Sequence, residues 1–99
     1  MREKAFALVK DAIVELNEVL EYDSLRDVSD DTPVFGGEEG IDSLSLVTLV
    51  TDLEQRSEAA FGRRLRLADP KAMSARNSPY RTAGSLADFI VERLGEHDA

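Results

Sequence analysis

A net charge of -8 on ninety-nine residues, twenty acidic against twelve basic, gives the chain a field that repels nucleic acid and favours proteins with basic surfaces. The length fits a single domain over 1–99 with a modest core. There is no cysteine, which excludes a disulfide framework, a thiolate metal site and a protein thiol nucleophile, so any thiol chemistry has to come from a cofactor.

From residue 2 to residue 20, Phe6, Val9, Ile13, Leu16 and Leu20 recur at alternating steps of three and four, which predicts an amphipathic first helix. Glu21 to Ile41 holds Ser24, Asp30, Asp31, Pro33, Gly36, Gly37 and Gly40 without sustained periodicity and reads as a long loop. Leu25, Val28, Val34 and Phe35 are expected to pin it to the core. A loop of this length is uncommon in a small domain and is often functional. A second helix begins at Asp42 or Ser43, either of which can cap its first turn, and runs to about Ala60, with Phe61 and Gly62 ending it. Arg63 to Lys71 is a second connection, and Ser78-Pro79 predicts one short helical turn through Tyr80. Ser85 then caps a last helix with the apolar stripe Leu86, Phe89, Ile90 and Leu94, closed by Gly95, and the tail frays from about Glu96. No alternating pattern predicts a sheet. The fold class is therefore all-α: a four-helix bundle of three main helices and one short one, with a long loop between the first two. No apolar run reaches the length of a signal-peptide core or a membrane span, so a cytoplasmic monomer without a membrane span is expected.

On a helical wheel of about 100° per residue, Leu46, Leu49, Val50 and Leu53 fall together as the core face of the second helix. Leu44 and Val47 fall on another arc, shared with Ser43, Thr51 and Glu54. Two readings fit them: they pack beneath the long loop, or they meet a partner or ligand. Ser43 opens the helix, where backbone N–H groups and the helix dipole favour an anion such as a phosphate. Asp42 or Ser43 also serves there simply as a cap.

The run Gly40-Ile41-Asp42-Ser43-Leu44-Ser45-Leu46-Val47-Thr48-Leu49-Val50-Thr51-Asp52-Leu53-Glu54 closely resembles the phosphopantetheine attachment segment of acyl carrier proteins. Asp42-Ser43-Leu44 is its centre, and it follows a glycine, comes after a long loop and opens an apolar helix near mid-chain. Phe35-Gly36 and Arg81-Thr82-Ala83-Gly84-Ser85-Leu86-Ala87-Asp88-Phe89-Ile90 also look like the family, so the resemblance covers most of the chain. It implies an acyl-carrier-like bundle that is not itself an enzyme. A separate phosphopantetheinyl transferase, using magnesium, would attach 4'-phosphopantetheine from coenzyme A to Ser43. The arm would carry acyl groups as thioesters between acyl-loading and acyl-processing enzymes. Asp42 is carried over as a motif neighbour and contact of the transferase, and Leu44, Val47, Thr51 and Glu54 as partner-docking positions. Carriers of fatty acid synthesis usually line this helix with carboxylates. Here Ser45, Thr48, Gln55 and Arg56 stand on the matching face, with only Asp42, Asp52 and Glu54 acidic, which favours a specialised lipid or secondary-metabolite pathway. An aminoacyl or peptidyl carrier and an unmodified helical adaptor are the alternatives.

A serine hydrolase fits less well, because a nucleophilic serine needs a base and the one histidine, His97, lies in the tail, with no Gly-x-Ser-x-Gly elbow. Asp23, Asp27, Asp30, Asp31, Glu38 and Glu39 lack the ligand spacing of a calcium loop and are expected to be a solvated surface. No resident metal is expected.

Overall fold

The computed structural model describes residues 2–36, 40–68 and 78–98, the last three by backbone alone. Among the described residues it is all-helical, with three α-helices: α1 (Arg2–Leu20), α2 (Ser43–Phe61) and α3 (Ala83–Asp98). Its only β-type pairings there are two isolated bridges, Pro33 with Thr82 and Phe35 with Ile41.

In α1, Val9 and Ile13 lie at the centre of the buried face together with Ala5 and Ala12, while Phe6, Leu16 and Leu20 flank it half-buried. The two alanines let neighbouring elements approach closely, and α1 packs against both α2 and α3. Lys4 donates to the Ala60 carbonyl at 3.0 Å, so the start of α1 lies by the end of α2 and the two helices run antiparallel. Past Leu20 the chain reverses through Glu21, a non-glycine residue at φ 58. Asn17 steadies the reversal by bonding both the N–H and the carbonyl of Tyr22.

The long loop carries one 3-10 turn at Asp23–Leu25, which the lack of periodicity in the sequence did not reveal. Leu25, Val28, Val34 and Ile41 are buried, and Phe35 packs half-buried against the core, so the expected anchors hold. The loop then zips onto the start of α3: Val34 N–H donates to the Arg81 carbonyl (2.8 Å), Phe35 N–H to Tyr80 (3.0 Å), Ala83 N–H to Thr32 (3.0 Å) and Gly84 N–H to Asp30 (2.9 Å). A Cβ on Gly84 would stand 2.8 Å from the Asp30 carbonyl, so only glycine permits this approach. Arg2 closes the same corner with ion pairs to Asp30 and Asp88. Those bonds, Asp30 first, raise the guanidinium pKa.

Two boundaries and one element differ from expectation. The start of α3 is a reciprocal cap in which Thr82 and Ser85 exchange backbone and side-chain hydrogen bonds at 3.0 Å each way. Ser85 is thus the third residue of the helix rather than its cap. The helix also continues through Gly95 to Asp98, so Gly95 does not close it. Gly95 is absent from the positive-φ glycines, whereas Gly62, at φ 71, ends α2. The expected fourth helix is not among the described elements. At Ser78–Arg81 there is a single turn, closed by Arg81 N–H on the Ser78 carbonyl at 3.2 Å. The expected extension of the second connection to Lys71 lies outside the described residues.

The second connection is less solvated than its charge suggests. Leu65 and Leu67 are each 1% exposed. Tyr80, wholly buried, donates its hydroxyl to the Leu67 carbonyl and meets Phe89 edge-on at 5.8 Å.

Candidate functional site

The approach to Ser43 is built by a narrow reversal between residues 35 and 41. Ile41 N–H donates to the Val34 carbonyl at 2.7 Å, and Gly36 takes φ 89. A Cβ on Gly40 would fall 2.9 Å from Gly36 N and 3.1 Å from its oxygen, so the glycine of the motif is set by backbone crossing backbone. Ile41 is buried, which anchors the chain immediately before the helix. Gly37, Glu38 and Glu39 lie outside the described residues.

Asp42 is the cap of α2, in extended backbone, and its Oδ1 accepts the Ser45 N–H at 2.7 Å. The Ser45 backbone bond, ahead of the Ser45 hydroxyl, holds the Asp42 carboxyl below its ordinary value. Ser43 is the first helical residue and is exposed. Of the two capping candidates, Asp42 caps and the Ser43 hydroxyl is left for other use. Asp42 also takes one of the N–H groups that were expected to favour a phosphate, so a phosphate on Ser43 shares the helix end with a carboxylate.

Leu46, Leu49, Val50 and Leu53 are buried as the wheel places them. Leu44 is 81% exposed and Val47 51%, so neither packs beneath the loop. Thr51 is also exposed. An apolar side chain turned to water contributes nothing to the core. Leu44 continues into a groove of about 340 Å³ with Leu16, Val19, Leu20 and Thr48. Val19 is itself 81% exposed, a contributor that the reading of the sequence missed. Its signal was present, since it stands off the apolar stripe of α1 between Leu16 and Leu20.

Glu54, the other expected docking position on this arc, is held within the fold. Its Oε2 accepts the backbone N–H of Leu67 at 2.8 Å and of Ala68 at 3.4 Å, clamping the second connection onto α2. Asp52 is likewise engaged, with Arg56 bonded to it at 2.8 Å and also paired with Glu15 of α1. These bonds, Asp52 first, raise the Arg56 pKa. Of the acids along α2, Asp42 caps the helix, Glu54 clamps a loop and Asp52 lies in an ion triad, while Glu58 is exposed.

The described residues contain no group of three or more potential metal ligands, and no helix among them is long and apolar enough to cross a membrane. The side chain of His97 lies outside the described residues, as do Glu38 and Glu39 of the acidic loop. No family model, no curated protein and no solved structure matches the chain.

Proposed function

We propose that the chain is a carrier of the acyl carrier type, whose Ser43 accepts a 4'-phosphopantetheine arm and which presents acyl groups to partner enzymes. The observation that carries this reading is Ser43 itself: an exposed hydroxyl at the first position of a 19-residue helix, not used as the cap and entered through a fixed reversal. The bound arm supplies the thiol that a cysteine-free chain lacks. The chain's own part is to hold the helix start rigid through Asp42, Ile41 and Gly40, and to offer Leu44 and Val47 as apolar contacts beside the serine. On this reading the bundle is acyl-carrier-like and acts as a cytoplasmic monomer. Asp42, Asp52 and Glu54 of α2 are engaged within the fold, which supports a specialised lipid or secondary-metabolite pathway over housekeeping fatty acid synthesis.

In the loading step a separate transferase, with magnesium, joins Ser43 Oγ to the phosphorus of coenzyme A's phosphopantetheine. The hydroxyl gives up its proton and adenosine 3',5'-bisphosphate leaves. Intact mass after incubation with coenzyme A, magnesium and broad-specificity transferases tests this directly. The wild type should gain one arm, and Ser43→Ala none while staying helical. A folded wild type left unmodified by several transferases, or a label on Ser45, would overturn it. Exposed Leu44 and Val47 suit an unmodified helical adaptor equally well, and the same mass measurement separates the two.

A further inference from the structure

The second connection alternates strictly. Arg64 and Arg66 are exposed, while Leu65 and Leu67 are each 1% exposed. Burial of the leucines therefore forces both guanidinium groups outward, and the Glu54 clamp on Leu67 and Ala68 fixes that register. Arg64 and Arg66 line, with Glu54 and Leu65, a cleft of about 340 Å³. Neither arginine forms an ion pair among the described residues, and the one carboxylate there is already held by two backbone N–H groups. Among the described residues the cleft thus sets two guanidiniums against one engaged carboxylate, in a chain whose net charge is -8.

The cleft also has a fixed relation to Ser43. Ser43 and Glu54 are eleven positions apart on one helix, about three turns, so they lie on nearly the same side and about 16 Å apart along the axis. The path between them passes exposed Val47 and Thr51. Fourteen bonds separate Ser43 Oγ from the sulfur of a phosphopantetheine arm, about the backbone of five residues, or about 16 Å extended. A short acyl group adds further reach, so its far end can meet the cleft.

We propose, on the carrier reading above, that the Arg64–Arg66 cleft receives a carboxylate at the free end of the acyl group carried on Ser43, so that the cargo is a short dicarboxylic acyl chain. The guanidinium fork matches a carboxylate in geometry as well as charge. A carboxylate is also the common anion that an acyl chain can itself bear.

The experiment loads the apo protein with succinyl- or butyryl-coenzyme A through a transferase with magnesium, checks each product by intact mass, and compares amide and guanidinium N–H spectra. The succinyl form should shift the Nε–H signals of Arg64 and Arg66 and the amides of Leu67 and Ala68, whereas the butyryl form should leave them where the unacylated holo protein has them. The shifts should shrink as salt is raised and vanish in the Arg64→Gln/Arg66→Gln double variant, which should load and fold as the wild type does. Equal spectra for the two loaded forms, or shifts that survive in the double variant, overturn the cleft as a cargo site while leaving the carrier reading intact. Failure to gain mass sinks both, and the mass spectrum tells these outcomes apart.

Discussion

Between Ser43 and Val50, α2 turns Leu44 and Val47 to water, while between Thr51 and Phe61 the same helix turns most of its functional polar groups toward the protein. Glu54 clamps Leu67 and Ala68, Arg56 ties Asp52 to Glu15, and Ser57 is fully buried with no hydrogen-bond partner for its hydroxyl among the described residues. The usual division of a surface helix, apolar inward and polar outward, is partly inverted in both halves. Exposed leucine and valine do not stabilise the first half, and they are the contacts that the proposed carrier would offer to partner enzymes. Asp52 and Glu54 of the second half already have partners, so their presence in the sequence is weak evidence of docking. A helix face is better judged by what its side chains already hold than by their polarity.

The largest effect that sharpens this contrast is expected at Leu53, which is 0% exposed. Leu53→Ala should lower stability by about 2–5 kcal/mol in denaturant unfolding, the range for a leucine whose loss leaves a cavity. One position further on, Glu54→Ala should cost about 1–3 kcal/mol, since two backbone N–H groups lose their acceptor. It should also speed amide exchange at Leu67 and Ala68. A Glu54→Ala protein with wild-type stability and wild-type exchange at both amides would break the comparison, because Glu54 would then be as free as its docking assignment supposed.

Val47→Asp gives the opposite result. With half of the side chain already in water, stability should change by no more than about 0.5 kcal/mol, while transfer to or from a cognate partner enzyme weakens. Early melting of this variant would place Val47 in the core and remove the contrast from the other side.

How far the sequence could be read follows the same division. The bounds of α1 and α2 were legible because local chemistry sets them, through the stripe of Val9 and Ile13, the cap at Asp42 and the left-handed Gly62. The start of α3 was not, since Thr82 and Ser85 are equally good caps. The choice depends on Ala83 and Gly84 bonding back to Thr32 and Asp30, fifty residues earlier. Leu65 and Leu67 are set among arginines, and the Leu67 backbone is held by Tyr80 and Glu54, partners that no local pattern reveals. At the candidate site, wheel geometry alone set Ser43, Leu44, Val47 and Thr51 on an arc apart from the core face but left open whether the long loop covers it, and the arc is exposed. Glu54 shares that arc, and the wheel does not carry the tertiary fact that a loop lies against it.

The smallest effect at neutral pH is expected at Asp42, and it tests whether the start of α2 is as fixed as its end. Asparagine caps a helix about as well as aspartate, so Asp42→Asn should melt close to the wild type at pH 7. The two proteins should separate only in acid. In the folded chain the Ser45 N–H holds the Asp42 carboxyl below its ordinary value of 3.8, so folding favours the ionised form. The stability this adds is complete above the ordinary value and is lost as pH falls through it toward the lower folded value. Asparagine has no such loss. Thermal melts taken from pH 7 down to about pH 3 should therefore show the wild type losing more than Asp42→Asn once the pH approaches the ordinary carboxylate range. Parallel curves over that interval would mean that the Asp42 carboxylate is not engaged with Ser45 in solution. The helix end would then be open to a phosphate on Ser43 without competition, and the fixed entry that sets Ser43 apart would have to rest on Ile41 and Gly40 alone.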